Sequence, residues 1–202
     1  MPSKALIDFE SRLEEVRQLM EAHSALTRLR RAETALQNGR QNLQNVAQVV
    51  RHLVSNPGRG RPAEVHALNS AAIALLSAHL QGFLVDLFKE VAKDILDGAV
   101  RNVEAVISAA NTRGNPNEQN IVKLFKAIGV PDVLNGITWQ HMSNSQLRVN
   151  LRNFNELRNK IVHGSSERVR KSLVLKYLKI FSNFAKHIDK RLMPRRRRRL
   201  YP

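Results

Sequence analysis

Between Ala71 and Phe88 the chain is apolar nearly all round, and this stretch constrains the fold more than any other. A helix steps about 100° per residue, so a run of this kind puts apolar groups on every face and must be covered on several sides. The stretch approaches the length of a membrane span, but Ser77, His79, Gln81 and Asp86 lie within it, and such groups are costly in hydrocarbon. The expectation is a buried central helix from Ala63 to about Leu96, with no role in a membrane. Aromatics are only 5% of the chain and no segment alternates apolar with polar residues, so the class is all-α.

The remaining segments supply helices to cover that pillar. Leu6, Phe9, Leu13, Val16 and Met20 recur at three- and four-residue steps in Lys4–Ala35, giving a narrow stripe suited to pairing with the next helix or with a second copy of the chain. Asn38-Gly39 marks a stop, and Leu43 to Val54 carries a second helical face. Ser55 to Pro62 holds two prolines and two glycines and cannot continue a helix. A short helix is expected over Val100–Ala110, then a polar break over Asn111–Asn117, then a small helix over Glu118–Ile128 closed by Gly129. Ser143 with Gln146 has capping-box spacing for a helix running to His163, where Gly164 can cap it. The last helix follows Ser165–Glu167, with Val169, Leu173, Tyr177, Phe181, Phe184, Ile188 and Leu192 on one side, and Pro194 is expected to end it. This divides the chain into an N-terminal helical arm or hairpin (1–56), a helical bundle (63–193) and a polybasic tail (194–202).

The formal net charge of +16 favours polyanions, nucleic acid first among them. Arg195, Arg196, Arg197, Arg198 and Arg199 account for five of those charges, so the rest of the chain still carries +11. These five, with Arg59 and Arg61 in the proline–glycine connector, are the candidate RNA-binding residues, since clustered arginines add salt-sensitive phosphate contacts. The absence of cysteine excludes disulfides, thiolate nucleophiles and cysteine-held metals, and suits a cytoplasmic protein. Asp8, Glu10 and Arg12 interrupt any apolar leader, so no export signal is expected. His23, His52, His66, His141 and His187 show no metal-ligand spacing, and no metal or cofactor is expected. Phosphate-binding glycine loops and serine nucleophile elbows are also missing from the sequence.

The segment that carries chemistry is Arg158 to His163. On the helix Ser143–His163, Leu147, Leu151, Phe154 and Ile161 share one face, and Glu156 and Lys160 fall opposite. Arg158 lies near the middle of the apolar stripe, where a plain core would place leucine, and burying a guanidinium is costly unless it is paired or reaches a wet cleft. Asn159 and His163 are four residues apart and can flank the same groove, with His163 in the last turn beside unpaired carbonyls. A histidine can serve there as general acid or base. A purely structural Arg158 would bond helix-end carbonyls or Asp86, and a purely structural His163 would be a helix cap.

Leu157-Arg158-Asn159-Lys160-Ile161-Val162-His163-Gly164 resembles the signature of the HEPN superfamily, R-x(4–6)-H with a polar residue after the arginine. Ala67-Leu68-Asn69 through Ala78-His79-Leu80-Gln81-Gly82-Phe83 to Leu87 is similar to the central helix of its RiboL-PSP-HEPN branch. The resemblance implies a HEPN-like bundle that dimerises with the two motif segments facing one another, often as a metal-independent endoribonuclease. It implies His163 acting on the ribose 2′-hydroxyl or the leaving oxygen, Arg158 stabilising charge on phosphorus, and Asn159 orienting phosphate or histidine. It further implies RNA as partner, a homodimer and, in toxin or defence members, an antitoxin protein; other members have lost catalysis and act as RNA-binding or protein-interaction modules. Gln81 stands where relatives often carry glutamate before the glycine–aromatic pair, and it cannot act as a base.

Overall fold

The computed structural model describes the backbone of residues 1–38, 63–96, 106, 108, 115–164 and 168–199, and side chains over 1–30, 66–95, 106, 108, 115–164 and 168–193. The described residues form five helices: α1 (Lys4–Asn38), α2 (Ala63–Leu96), α3 (Glu118–Lys126), α4 (Asn144–Val162) and α5 (Lys171–Arg199). The expected helical face at Leu43–Val54, the connector Ser55–Pro62 with Arg59 and Arg61, and the expected helix Val100–Ala110, except for residues 106 and 108, lie outside the described residues.

The long helix α2 is the pillar that its apolar surface requires. It is long and apolar enough to cross a membrane by length and composition, yet half of its apolar window is buried inside the protein. Four helices supply that cover, α1 most extensively, then α5, α4 and α3. Phe9 of α1 stacks on Phe83 with ring centroids 4.9 Å apart, and Phe88 meets Phe125 of α3 edge-on at 5.9 Å. On the other side Phe154 of α4 packs against Tyr177 and Phe181 of α5 at 4.9 and 4.6 Å. Aromatic pairs at such separations add to the area they bury.

Sequence periodicity leaves the partner of α1 open between the next helix, expected at Leu43–Val54 and outside the described residues, and a second copy; among the described residues α1 packs most extensively on α2. Its Leu6, Phe9, Leu13, Val16 and Met20 are buried in the common core. Ser3 caps the helix by accepting from the Leu6 amide at 3.0 Å. The buried Asp189 of α5 accepts from the Ser3 amide at 3.3 Å, and Glu90 of α2 accepts from the Ala5 amide at 2.7 Å. Two carboxylates thus sit where unpaired amides give a helix its positive end. Gly82 permits close approach: a Cβ there would lie 3.0 Å from the Arg12 guanidinium, which reaches Asp86 at 3.7 Å.

The end of α5 differs from expectation. The helix runs through Pro194 to Arg199 rather than stopping at the proline. Proline removes one amide donor and crowds the carbonyl four residues earlier, which can kink a helix without ending it.

Candidate functional site

Helix α4 begins where its sequence says it should. Ser143 accepts from the Gln146 amide, and Gln146 returns the bond to the Ser143 amide at 2.9 Å, a complete capping box. Arg148, one turn in, donates to Glu118 at 2.8 Å, to Asp132 at 2.5 Å and to Asn144 at 3.1 Å. Arg152 adds a longer bond to Glu118 at 3.3 Å. This network clamps the start of α3 and the loop after it onto α4. The Arg148 hydrogen bond draws the Glu118 carboxyl below its usual range against the opposing effect of burial, with Arg152 assisting. Burial pulls the Arg148 guanidinium down, and its bonds to Glu118 and Asp132 outweigh that and raise it.

The clamp fixes what faces the second half of α4. Leu147, Leu151 and Phe154 are buried as the wheel predicts, and Glu156 and Lys160 are exposed. Leu157, at 9% exposure, is the last buried residue of the helix, while Ile161 one turn on is only partly covered. The core thins at this end, and Arg158 is therefore half-buried rather than fully desolvated. Its Nη1 donates to Asn159 Oδ1 at 3.2 Å. The same oxygen accepts from Asn115 Nδ2 at 3.2 Å. The carbonyl of Asn115 in turn accepts from Asn120 Nδ2 at 2.9 Å, and Asn117 caps α3 by accepting from the Asn120 amide at 2.8 Å.

His163 is the C-cap of α4, and its amide donates to the Asn159 carbonyl at 2.9 Å. Gly164 follows at φ 76°, the left-handed conformation that glycine adopts without strain. The His163 side chain is exposed. Arg158 and Asn159 are joined by a side-chain hydrogen bond, and His163 is joined to them by helix register and the backbone bond. Asp86, the alternative partner for Arg158, is engaged instead by Arg12 and by Lys89 at 3.8 Å. The polyarginine residues Arg195–Arg199 are helical in backbone at the far end of α5.

The RiboL-PSP-HEPN family matches residues 90–194, just over half of the chain. The chain belongs to that family. The span matched to RiboL-PSP-HEPN holds all of α3 and α4, the whole Arg158–His163 segment and most of α5. It starts after Leu87, so the part of α2 that resembles the family's central helix lies outside it. No curated protein and no solved structure matches the chain.

Two features of this HEPN chain escaped sequence reasoning. Asn115 lies in the polar break of the sequence, and only the fold brings it to Asn159; the run of asparagines at 115, 117 and 120 is its one signal. The Arg148 clamp joins residues 16 and 30 positions apart, for which sequence periodicity has no signature.

Proposed function

We propose that the chain is a metal-independent endoribonuclease of the HEPN type, working in the cytoplasm as a homodimer. The observation that carries this reading is a hydrogen-bonded Arg158–Asn159 pair one helical turn before an exposed, helix-capping His163. In the proposed reaction the ribose 2′-oxygen attacks the adjacent phosphorus and the bond to the 5′-oxygen breaks, leaving a 2′,3′-cyclic phosphate and a 5′-hydroxyl. His163 of one copy takes the 2′-hydroxyl proton and His163 of the other gives a proton to the leaving oxygen, a division of labour that two facing motifs allow. Arg158 supplies planar N–H donors to the charge that builds on the phosphoryl oxygens. Asn159 Oδ1 already accepts from Arg158 and Asn115, so its amide N–H₂ is what it offers a phosphate.

Val162, 52% exposed beside His163, is an apolar group that a second copy would cover. The charge of +16 supports RNA as the partner, with Arg195–Arg199, Arg59 and Arg61 adding backbone contacts. The same reading makes a toxin or defence effector with an antitoxin partner the natural setting.

The test is incubation of the wild type and His163→Ala with a mixed RNA pool in EDTA, followed by mapping of the new ends. Cyclic phosphates and 5′-hydroxyls from the wild type alone support the proposal. No cleavage by either protein, with RNA binding retained, assigns the chain instead to the family's non-catalytic binding modules. Relief of expression toxicity by the same substitution checks the toxin setting.

A further inference from the structure

Away from the Arg158–His163 segment, three buried polar atoms without partners gather where α1, α2 and α5 meet. His23 of α1 and His66 of α2 each hold a buried Nδ1 with no hydrogen-bond partner. Asn69, one turn along α2 from His66, is only 2% exposed; its Nδ2 donates to the Val169 carbonyl at 2.9 Å, and its Oδ1 has no partner. Lys171, the first residue of α5, donates its ammonium to Ser24 of α1. Burial first, then the charge of Lys171 and the neighbouring His66, hold the His23 imidazole below its ordinary pKa. Buried polar atoms in folded proteins are almost always satisfied, so three in one place call for an occupant.

The chemistry of the cluster selects among occupants. A metal ion would find two imidazole nitrogens and an amide oxygen but also an adjacent ammonium, and among the described residues no group of three or more histidine and carboxylate side chains could hold one. An oxyanion answers every group at once. It accepts from both imidazoles when they carry protons, and it neutralises Lys171. A protonated phosphate oxygen can also donate to Asn69 Oδ1.

We propose that His23, His66, Asn69 and Lys171 form a phosphate-binding site at the junction of α1, α2 and α5. The site is separate from the Arg158–His163 segment and does not depend on cleavage. Residues 164–170 link the two, since they join the end of α4 to Lys171. The phosphate belongs either to an RNA backbone or to free inorganic phosphate. A backbone phosphodiester has no P–OH, so with RNA the Asn69 oxygen accepts from an imidazole N–H instead.

The experiment follows the histidine Cε1–H resonances of the full chain by NMR. The chain carries His163→Ala so that RNA is not consumed, and His23→Gln and His66→Gln provide assignments. Inorganic phosphate is titrated in one arm and a short single-stranded RNA in the other. Saturable movement of both resonances toward their protonated positions is expected, weakened about tenfold by Lys171→Gln and largely restored by Lys171→Arg, the change expected for losing one charge-assisted contact. Response to phosphate alone identifies the free anion as the source, and response to RNA alone identifies the backbone. Resonances that stay still in both arms, or drift without saturation and equally in Lys171→Gln, overturn the proposal and leave water as the occupant. The unchanged remainder of the spectrum, or Lys171→Arg where Lys171→Gln does not fold, separates lost binding from lost structure.

Discussion

Replacing Arg148 with methionine keeps the aliphatic stem and removes the guanidinium that ties α3 to α4. Two ion-pair bonds disappear, to Glu118 at 2.8 Å and to Asp132 at 2.5 Å, together with the bond to the neutral Asn144 at 3.1 Å. Such bonds contribute roughly 1.5–3 kcal/mol each when buried. Here the side chains of Arg148 and Glu118 are 22% and 23% exposed and Asp132 is 39% exposed, so solvent screening reduces the total. A net loss of about 2 kcal/mol follows, which for a chain of this length lowers the melting temperature by roughly 4–8 °C. Thermal unfolding followed by far-ultraviolet circular dichroism reads it directly. The acid limb carries a second signature. Glu118 has a folded pKa depressed below 4.5, so in the wild type it contributes stability at neutral pH that is lost as pH falls through the lowered value. Arg148→Met should flatten that part of the profile. Because the segment leading into α3 carries Asn115, which donates to Asn159 and is held by Asn120 of α3, RNA cleavage should fall severalfold without being abolished. An unchanged melting temperature in Arg148→Met would refute the view that this clamp positions the site.

Other substitutions probe separate parts of the account. Gly164→Ala forces a side chain into a left-handed backbone at φ 76° with open space around it, so the cost is conformational, about 1–2 kcal/mol, read as a lowered urea midpoint. Phe154→Ala empties a site only 1% exposed between Tyr177 and Phe181, and should cost about 3–5 kcal/mol by the same measurement. His23, with its folded pKa below 6.5, favours the native state in its neutral form; stability in phosphate-free buffer should therefore decline as pH drops below about 6.5, and His23→Gln should flatten that decline.

Much of the helical layout was legible because it rests on local chemistry. The pillar is helical over Ala63–Leu96 as its apolar content implies, the Ser143 capping box is formed, and Gly129 and Gly164 both take the left-handed cap conformation. Pro194 misled because a proline forbids one hydrogen bond, not a whole helix. The wheel places Arg158 inside the apolar stripe, but a wheel cannot show that the core thins toward the end of α4 and leaves the arginine half-buried. The Asn115–Asn159 bond, the Arg148 clamp and the gathering of His23, His66 and Lys171 all join residues distant in sequence, and only packing brings them together.

The most direct test of the whole account is the single-turnover cleavage rate of a defined RNA in EDTA by His163→Ala, with RNA affinity measured on the same preparation. General acid–base catalysis contributes roughly 10²–10⁴-fold, so a fall of that size or greater at unchanged affinity is the predicted result. A variant that cuts at the wild-type rate would contradict it.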